Sequence, residues 1–385
     1  MKYNVAIVGA GVGGLAAGAY LARAGHSVQI FDKFTAPAPV GSGLVVQPVG
    51  QDVLAELDAL ETALALGQQV KAMEGFEVDA GRKVLGVDYG DSFGLAIHRA
   101  SLFRALLQAA IAAGAELVPD AEVTRIDANR LNIGARSAGP FDLIVNASGA
   151  NSTLGPLVSK PLPYGAIWGT VPWPQATEIE TSHLQQRYQR ASRMIGILPV
   201  GRLPDDPRPI ATIFWSLRRE AYAKWRAAPL AEWKTEATDL WPDMAPFLES
   251  VTDHDQMTMA TYTHGALLKP VKGRVVHLGD AAHRASPQLG QGANMALLDA
   301  CALNRALRDP DLELGLKHYV NARRAHVWLY QFLSASFTPQ YQSDSTWLPV
   351  LRDRFFYPLS EIPPAPRILT RLVRGDILPP FGSLR

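Results

Sequence analysis

A glycine-rich turn near the start of the chain constrains the fold more than any other feature. The sequence GAGVGG at 9–14 fits the pattern G-x-G-x-x-G. An apolar run at 4–10 leads into it and a helical pattern at 13–25 follows, so the turn joins a buried strand to a helix. A second predicted strand, 27–33, carries the acidic residue Asp32 near its end. These features together predict a β-α-β unit that binds a dinucleotide.

Each part of this unit has its own role in dinucleotide binding. Gly9 permits the tight turn, Gly11 lets the backbone approach a pyrophosphate, and Gly14 lets helix and strand pack closely. The free N–H groups of the helix N-terminus face the phosphates, and the Asp32 carboxylate can bind both hydroxyls of an adenosine ribose. The motif does not distinguish FAD from NAD(P), and a plain glycine-rich turn is the alternative.

A second unusual segment, LGDAAHRASPQLGQGAN at 278–294, favours a flavin. A buried strand is predicted to end at Gly279 and Asp280, which places a carboxylate where it could bind the ribityl hydroxyls of a flavin. Gly290 and Gly292 then open a helix, and its free N–H groups could stabilise negative charge on a reduced isoalloxazine ring. The alternative is an ordinary strand-to-helix turn with an N-capping Asp.

The composition argues against several functional classes. The net charge of +1 in 385 residues gives no basic excess for nucleic acid. Glycines dilute the hydropathy of the uncharged run before Arg23, so we expect neither a signal peptide nor a membrane span, and a cytoplasmic protein. The single cysteine, Cys301, excludes an intrachain disulfide, and the histidines are scattered without metal-binding spacing, so no metal site is expected.

The strand and helix patterns predict an α/β fold with a discontinuous domain. Its Rossmann-like FAD-binding domain is assigned to 1–72, 95–162 and 268–335. Alternating, aromatic-rich strands assign 73–94 and 163–267 to a mainly antiparallel substrate-binding sheet domain. A C-terminal cap segment with helical character, 336–385, is rich in Pro and aromatic residues and could seal the pocket or form a dimer contact. The local patterns predict helices at 51–66 and 98–114 and a hairpin at 76–90.

Three segments resemble the pattern of group A flavoprotein monooxygenases, which share the para-hydroxybenzoate hydroxylase fold. They are GSGLVVQP at 41–48, HRASLFRALL at 98–107 and GDAAHRASPQLGQGANMALLDA at 279–300. The resemblance covers 1 to about 330, with a gap over the middle sheet. It implies a non-covalent FAD that is reduced by NAD(P)H, reacts with O2 to a C4a-hydroperoxide and transfers one oxygen atom to a small aromatic or electron-rich substrate. An FAD-dependent dehydrogenase or reductase of the same fold is the alternative.

The resemblance also implies where FAD binds. The first glycine turn and Asp32 would hold the ADP half, Arg99 would contact the pyrophosphate or ribityl region, and Asp280 would bind the ribityl chain. The helix that begins at Gly292 would lie against the flavin ring. The full set of predicted FAD contacts is Gly9, Gly11, Val12, Gly13, Gly14, Asp32, Lys33, Gly43, Leu44, Arg99, Val123, Ser148, Gly149, Gly279, Asp280, Pro287, Gly290, Gly292, Ala293 and Asn294.

One segment departs from the family pattern, in which a strand is followed by Asp-Gly with Ser and Arg a few residues on. Here Ser148 stands in place of the Asp and Gly155 in place of the Arg, whereas Ser152 fits. In the family this segment serves both FAD and the pyridine nucleotide, and the chain has no second G-x-G-x-x-G. We therefore expect either poor reduction by NADPH or NADH, or electrons from a separate flavin reductase or free reduced flavin.

The middle sheet is predicted to form the floor of an apolar pocket that faces the flavin and binds a small aromatic substrate. No catalytic acid or base stands out, so the flavin itself, beside the Pro287 loop, is expected to be the reactive group. Plain sheet core is the alternative for each aromatic residue, and the protein is expected to be a monomer or homodimer. The predicted substrate contacts are Gln47, Trp168, Met194, Pro199 and Trp215.

Overall fold

The computed structural model describes residues 1–36, 41–382 and 384, and its strands form four sheets. The first is a mostly parallel sheet in the order β18-β19-β12-β1-β2-β8. Its central strands are continuous apolar runs because helices or loops cover both faces. Numbered along the chain, its strands are β1 (Asn4–Val8), β2 (Ser27–Phe31), β8 (Glu116–Val118), β12 (Leu143–Asn146), β18 (Val271–Lys272) and β19 (Val275–His277).

The second sheet has eight strands in the order β20-β17-β13-β16-β15-β14-β5-β6. All neighbours are antiparallel except β14 and β5. The predicted hairpin at 76–90 is confirmed as the β5-β6 pair. The strands are β5 (Ala72–Glu77), β6 (Lys83–Asp88), β13 (Lys160–Pro172), β14 (His183–Gln189), β15 (Arg193–Pro199), β16 (Ile210–Arg218), β17 (Met257–Ala266) and β20 (His283–Arg284).

Two small sheets complete the strands. One has the order β3-β7-β4 and contacts the eight-stranded sheet, because the Gly43 N–H in β3 donates to Thr212 Oγ1 in β16 at 2.8 Å. The other has the order β11-β10-β9. Their strands are β3 (Gly43–Val46), β4 (Gln68–Val70), β7 (Gly94–His98), β9 (Val123–Asp127), β10 (Arg130–Ile133) and β11 (Arg136–Ala138).

Helices pack on both the parallel sheet and the eight-stranded sheet, and several short helices follow α9 near the C-terminus. The predicted helix at 98–114 is confirmed as α4, but the single helix predicted at 51–66 is wrong, because the left-handed backbone at Asp58 (φ 58°) divides it into α2 and α3. The helices are α1 (Val12–Arg23), α2 (Pro48–Glu56), α3 (Leu60–Leu66), α4 (Arg99–Ala112), α5 (Tyr222–Ala227), α6 (Leu230–Leu240), α7 (Ala245–Leu248), α8 (Gly292–Ala306), α9 (Leu312–Tyr341), α10 (Leu348–Leu351), α11 (Tyr357–Ser360) and α12 (Ala365–Arg374).

The eight-stranded sheet has two different faces, since side chains alternate along each strand. Trp215 lies on the face covered by α5, α6 and α7, where its ring meets that of Trp233 edge to face. Phe214 lies on the opposite face, which packs towards β3. We call this second surface, formed by Trp168, Met194, Leu198 and Phe214, the apolar face.

The C-terminal helices pack against the edge of the same sheet. α11 and α12 lie on the edge strand β6, and the Thr370 hydroxyl donates to the Asp88 carbonyl at 3.1 Å. α9 continues through the domain boundary predicted between residues 335 and 336. In the part of the chain that the structure describes, no helix combines the length and apolar character of a membrane-spanning segment.

Candidate FAD and substrate site

The first glycine turn packs closely on one side and is open on the other. A Cβ atom at Gly14 would overlap the Gly9 carbonyl oxygen, and Gly9 itself has a left-handed backbone (φ 102°). A Cβ at Gly11 would meet no atom within 4 Å, and this residue caps α1 without any side-chain hydrogen bond. The first N–H groups of α1 therefore face open space, as a bound pyrophosphate requires.

Asp32 is held at the end of β2, beside this turn. Its Oδ2 accepts from the Ala10 N–H at 2.6 Å and its Oδ1 from the Phe34 N–H at 3.3 Å. Lys33 is exposed, whereas the side chain of Val123 is buried in a small core with Phe141. Asp32 is therefore positioned for a ribose at the place the sequence predicted.

The N-terminus of α8 lies next to that of α1. A Cβ at Gly13 would be 2.6 Å from Leu278 Cδ1 and 3.2 Å from the Cβ of Ala296, so the two helices approach closely at this glycine. α8 also begins without a side-chain cap, and a Cβ at Gly292 would meet no atom within 4 Å. The preceding Gly290 has a left-handed backbone (φ 60°) that turns the chain into the helix. We call the space in front of these two helix N-termini the crevice.

Asp280 carries the carboxylate of the crevice. In the described residues its carboxylate oxygens accept no hydrogen bond, and the side chain reaches solvent. The surrounding protein nevertheless raises the pKa of Asp280 by desolvation, and the charges of His283, Arg99 and Arg284 partly offset this rise. Arg99 thus lies close enough to act on Asp280, and this pair offers one charge of each sign to a polar ligand.

Asn294 joins the crevice to β3 rather than facing it. Its Oδ1 accepts from the Gln47 N–H at 2.8 Å, and its Nδ2 donates to the Gly290 carbonyl at 3.0 Å and the Val45 carbonyl at 3.3 Å. The side chain is fully buried, so only the backbone of this predicted FAD contact is free for a ligand.

The remaining predicted contacts lie on the same segments: Val12 in the first turn of α1, Gly43 and Leu44 in β3, Gly149 after β12, Gly279 and Pro287 between β19 and α8, and Ala293 in the first turn of α8.

A buried ionic network behind the crevice was not predicted from the sequence. The Asp299 carboxylate in α8 accepts from Arg323 Nε at 2.7 Å and from the Gly279 N–H at 2.9 Å, and it lies 2.6 Å from His283 Nε2. Burial alone would raise the pKa of Asp299, but His283 and Arg323 hold it well below its ordinary value. The available signal was a charged residue within the apolar helix sequence MALLDACAL.

Ser148 turns its hydroxyl into the protein. The hydroxyl donates to Asn146 Oδ1 at 2.6 Å and lies 2.7 Å from Ser152 Oγ. The neighbouring His277 fills the space beside Gly155, where a Cβ would lie 2.9 Å from its ring. No cation replaces the family arginine at this place in the described structure, so the segment offers a neutral network where the family pattern has charges.

The predicted substrate residues divide between the two sheet faces. Trp168 and Met194 lie on the apolar face, where Trp168 stacks on Phe214 with ring centroids 4.6 Å apart. The prediction that Trp215 contacts the substrate is wrong, because strand alternation turns its side chain into the helix-covered core. The same applies to Pro199, which pairs with Ala211 in the register of that core face.

Gln47 is fully buried at the junction of β3 and α2, and neither atom of its side-chain amide has a hydrogen-bond partner in the described residues. A Cβ at Gly290 would lie 3.1 Å from its Nε2, so the amide borders the turn that enters α8. Tyr89, which the sequence analysis missed, lies nearby with an unpaired hydroxyl. It belongs to a segment whose alternating pattern indicated only a hairpin.

The residues fit FAD on structural grounds alone. Two adjoining, uncapped helix N-termini lead into open space, and the helices approach each other closely at Gly13. Asp32 lies at one end of the crevice for a ribose, and Asp280 with Arg99 can bind the polar chain that follows. At Gly11 and Gly292, which lie at the starts of these two helices, a Cβ would meet no protein atom within 4 Å, so the space in front of both is open.

Comparisons with known proteins agree. The family model described as FAD binding domain matches residues 2–331. The chain is 25% identical to 6-hydroxynicotinate 3-monooxygenase of Bordetella bronchiseptica over 369 residues, which cover 90% of this chain and 92% of that protein. The crystal structure of 2-methyl-3-hydroxypyridine-5-carboxylic acid oxygenase superposes with a TM-score of 0.81 at 20% identity and covers 100% of both chains. A Klebsiella pneumoniae protein complexed with FAD and uric acid gives a TM-score of 0.78 at 20% identity over 98% of each chain.

The family match spans the two glycine turns, Asp32 and the Gly-Asp segment at 279–280, which are the features that the sequence analysis singled out. It confirms the predicted α/β fold, the FAD cofactor and the oxidoreductase class. The chain therefore belongs to the FAD-binding family of group A flavoprotein monooxygenases.

Proposed function

We propose that this monooxygenase inserts one oxygen atom from O2 into a small, planar aromatic compound, and that the compound binds between the apolar face and the turn at 287–292. The observation that carries the proposal is the order of layers. The first turn of α8 is bonded to β3 through Asn294, and β3 packs on the apolar face through Gly43 and Val45. A ring bound there would have the crevice on one side and aromatic side chains on the other.

The chemistry of the lining supports an aromatic substrate. Trp168 is half-buried and can present flat apolar surface, and the buried side chains of Phe214 and Met194 pack with it in the same cluster. The Trp168 indole N–H donates to the Tyr262 hydroxyl at 2.9 Å, so this N–H group is already paired within the protein and is not available to a substrate. The relatives named above act on hydroxynicotinate and a hydroxypyridine carboxylic acid, and both are small planar rings.

The residues of the protein bind FAD, orient the substrate ring and exclude water from the reacting region. FAD, when bound, supplies the redox chemistry with O2. The uncapped N-terminus of α8 favours negative charge on the ligand group in front of Gly292. Asp32, Arg99 and Asp280 would hold the polar half of the cofactor. The apolar face keeps water from the reacting region and positions the ring.

The test is to reduce the FAD-loaded protein chemically, mix it with 18O2 and analyse the products of an aromatic panel of phenols and hydroxypyridines by mass spectrometry. We expect one 18O atom in a hydroxylated product, with Trp168→Ala lowering the yield and the surface variant Trp328→Ala leaving it unchanged. Reoxidation to hydrogen peroxide with every member of the panel, and no labelled product, would instead favour a dehydrogenase or reductase.

We also propose that NADH and NADPH reduce this protein slowly and that a separate flavin reductase, or free reduced flavin, supplies its electrons. The proposal rests on the Ser148 segment. Its hydroxyl is engaged with Asn146 and Ser152, and Gly155 provides no cation for a pyridine nucleotide phosphate. A neutral, self-bonded network offers little to a ligand that carries several negative charges.

Anaerobic mixing decides between these donors. The oxidised FAD band should persist for minutes with NADH or NADPH and disappear rapidly with photoreduced FMN. The variant Ser148→Asp restores the family carboxylate and should accelerate reduction by a pyridine nucleotide, whereas Gly155→Arg is unsuitable because a Cβ there would lie 2.9 Å from the His277 ring. Rapid bleaching of the wild-type protein by either nucleotide would contradict this proposal without affecting the one on oxygen insertion.

A further inference from the structure

Gln47 and Tyr89 carry three buried hydrogen-bonding atoms that lack partners in the described residues. These atoms are Nε2 and Oε1 of Gln47 and the hydroxyl of Tyr89, and both side chains are completely buried. Folded proteins pair nearly all buried polar atoms, because an unpaired one loses its hydration without compensation. An amide left entirely unpaired beside an unpaired phenol therefore needs an explanation other than packing.

The backbone of Gln47 is held firmly although its amide is not. The Gln47 N–H donates to Asn294 Oδ1 at 2.8 Å. The Gln47 carbonyl accepts from the N–H groups of Gly50 at 2.8 Å and Gln51 at 2.9 Å, at the start of α2. The residue is thus anchored to both α8 and α2, and its side chain keeps its hydrogen-bonding capacity free.

The pair lies where the crevice meets the apolar face. The Gln47 amide borders Gly290, in the turn that leads into α8. Tyr89 packs in the same cluster as Val45, Met194 and Phe214. The space proposed for the substrate ring therefore ends, on this side, at an amide and a phenol.

The two groups approach each other without bonding. Burial raises the pKa of Tyr89. The phenol and the Gln47 amide are neighbours, but their atoms do not meet hydrogen-bond geometry. No hydrogen bond opposes a rotation of the Gln47 side chain. The Gln47 amide can therefore form hydrogen bonds with an entering ring, while Tyr89 stays fixed among apolar neighbours.

The chemistry of the pair selects a particular ligand edge. A primary amide presents one N–H donor beside one carbonyl acceptor, and its complement is a ring that carries an N–H next to a C=O. We infer that Gln47 and Tyr89 recognise the lactam edge of a planar heteroaromatic substrate, such as the oxo form of a hydroxypyridine or hydroxyquinoline ring. This inference rests on the proposed function and specifies the substrate class of the same pocket.

The experiment compares three ligands by their perturbation of the flavin absorbance of the FAD-loaded protein. 2-Quinolone has the lactam edge, N-methyl-2-quinolone lacks its N–H, and 3-methyl-2-quinolone adds the same methyl volume while keeping the N–H. Sites built to bond such a group reject analogues that lack it, so we expect the N-methyl compound to bind at least about tenfold more weakly than the other two. Equal affinities, or no binding of any of the three, would overturn the inference.

Variants assign the preference to the two residues. Gln47→Met keeps the side-chain volume and should abolish the preference for 2-quinolone, with N-methyl-2-quinolone affinity changed by less than about threefold. Tyr89→Phe should weaken the binding of 2-quinolone, because the phenol hydroxyl is lost from the pocket edge. Gln69→Met and Tyr222→Phe are the matched controls, since Gln69 is exposed and Tyr222 lies on the helix-covered side of the sheet.

A charge-bearing variant gives a second, independent readout. Gln47→Glu replaces the donor by a second acceptor, so it should transfer the preference from 2-quinolone to 2-aminoquinoline, which presents two donors when its ring nitrogen is protonated. If Gln47 served the flavin instead, Gln47→Met would shift the flavin spectrum without ligand and leave the 2-quinolone preference intact, which would also overturn the inference. Oxygen insertion into phenols in the 18O2 experiment needs no lactam, so the two proposals can fail separately.

Discussion

Asp299 of α8 and Arg323 of α9 form an ion pair in the interior, with the carboxylate Oδ1 2.7 Å from the guanidinium Nε. The other carboxylate oxygen accepts from the Gly279 N–H and lies against the His283 ring. Asp299 therefore connects the segment that carries Asp280 to the long helix α9. The position of the crevice carboxylate depends on a residue that does not itself face the crevice.

Replacement of Asp299 by Asn should destabilise the whole protein. The change leaves Arg323 buried without a counter-charge, and breaking a buried pair from one side lowers the free energy of unfolding by about 3–5 kcal/mol. Chemical denaturation of the FAD-loaded protein measures this. The control is Asp205→Asn, which removes an exposed partner of Arg104 and should have little effect. Equal losses in the two variants would refute a special role for the buried pair.

His326 should make the protein sensitive to mild acid. Burial, followed by the charge of Arg323, lowers the pKa of His326 to about 4, while its Nε2–H donates to the Gly375 carbonyl. Below pH about 6.5, His326 is protonated in the unfolded chain but stays neutral in the folded protein. The free energy of unfolding therefore falls by about 1.4 kcal/mol per pH unit down to pH 4. Asp299 does not change the slope of stability against pH in this window. Its pKa is lowered in the folded protein, so the stability that it adds is fully present above the unfolded pKa of about 3.9 and is lost only at lower pH.

The variant His326→Gln tests this by removing the titrating group. Unfolding free energies measured at pH 7, 6 and 5 should decline less steeply than in the wild-type protein. The same replacement at exposed His318 serves as the comparison and should keep the original slope. An unchanged slope in His326→Gln would assign the acid sensitivity elsewhere.

Two glycines of the first turn should respond differently to alanine. A Cβ at Gly14 would overlap the Gly9 carbonyl, so Gly14→Ala should prevent stable packing of α1 on β1. A Cβ at Gly11 meets no protein atom, so Gly11→Ala should fold, yet its methyl group would occupy the place of the pyrophosphate. We expect thermal unfolding without FAD to be normal for Gly11→Ala and its FAD affinity to fall at least about tenfold. Normal FAD affinity in Gly11→Ala would argue against this position of the cofactor.

The two tryptophans of neighbouring strands should separate binding from stability. Trp215→Ala empties part of the helix-covered core and should lower the free energy of unfolding by about 3–5 kcal/mol. Trp168→Ala removes a ring from the apolar face and should weaken binding of 2-naphthol, followed through the flavin absorbance, about tenfold or more with a smaller loss of stability. The reverse result would place the substrate on the other side of the sheet.

The two glycine turns could be predicted because their requirements are local. Gly9, Gly11 and Asp32 mark a turn whose spacing follows from the geometry of one strand and one helix. The same holds for the helix start at Gly292, which the structure places where the sequence indicated. Such features need no knowledge of which distant strands pair.

The substrate side could not be predicted in the same way, because it depends on strand register. Phe214 and Trp215 differ only by alternation, and the sequence does not show which face of the sheet turns towards β3. Gln47 could be named from its position in the loop, but its partner Tyr89 comes from a separate hairpin that only the fold brings near. Asp299 and Arg323 likewise lie on two helices whose contact no local pattern encodes.

The contact of α11 and α12 with β6 has a consequence for the behaviour of the protein in solution. β6 is the last strand of the eight-stranded sheet, and its outer backbone groups would otherwise be available to a strand of another molecule. A chain shortened before Tyr357 would expose that edge while keeping both glycine turns. Such a truncation would also remove the Val373 carbonyl that accepts from Gln291 Nε2 at the start of α8. It should therefore form insoluble aggregates on expression, and any soluble remainder should retain the yellow cofactor poorly.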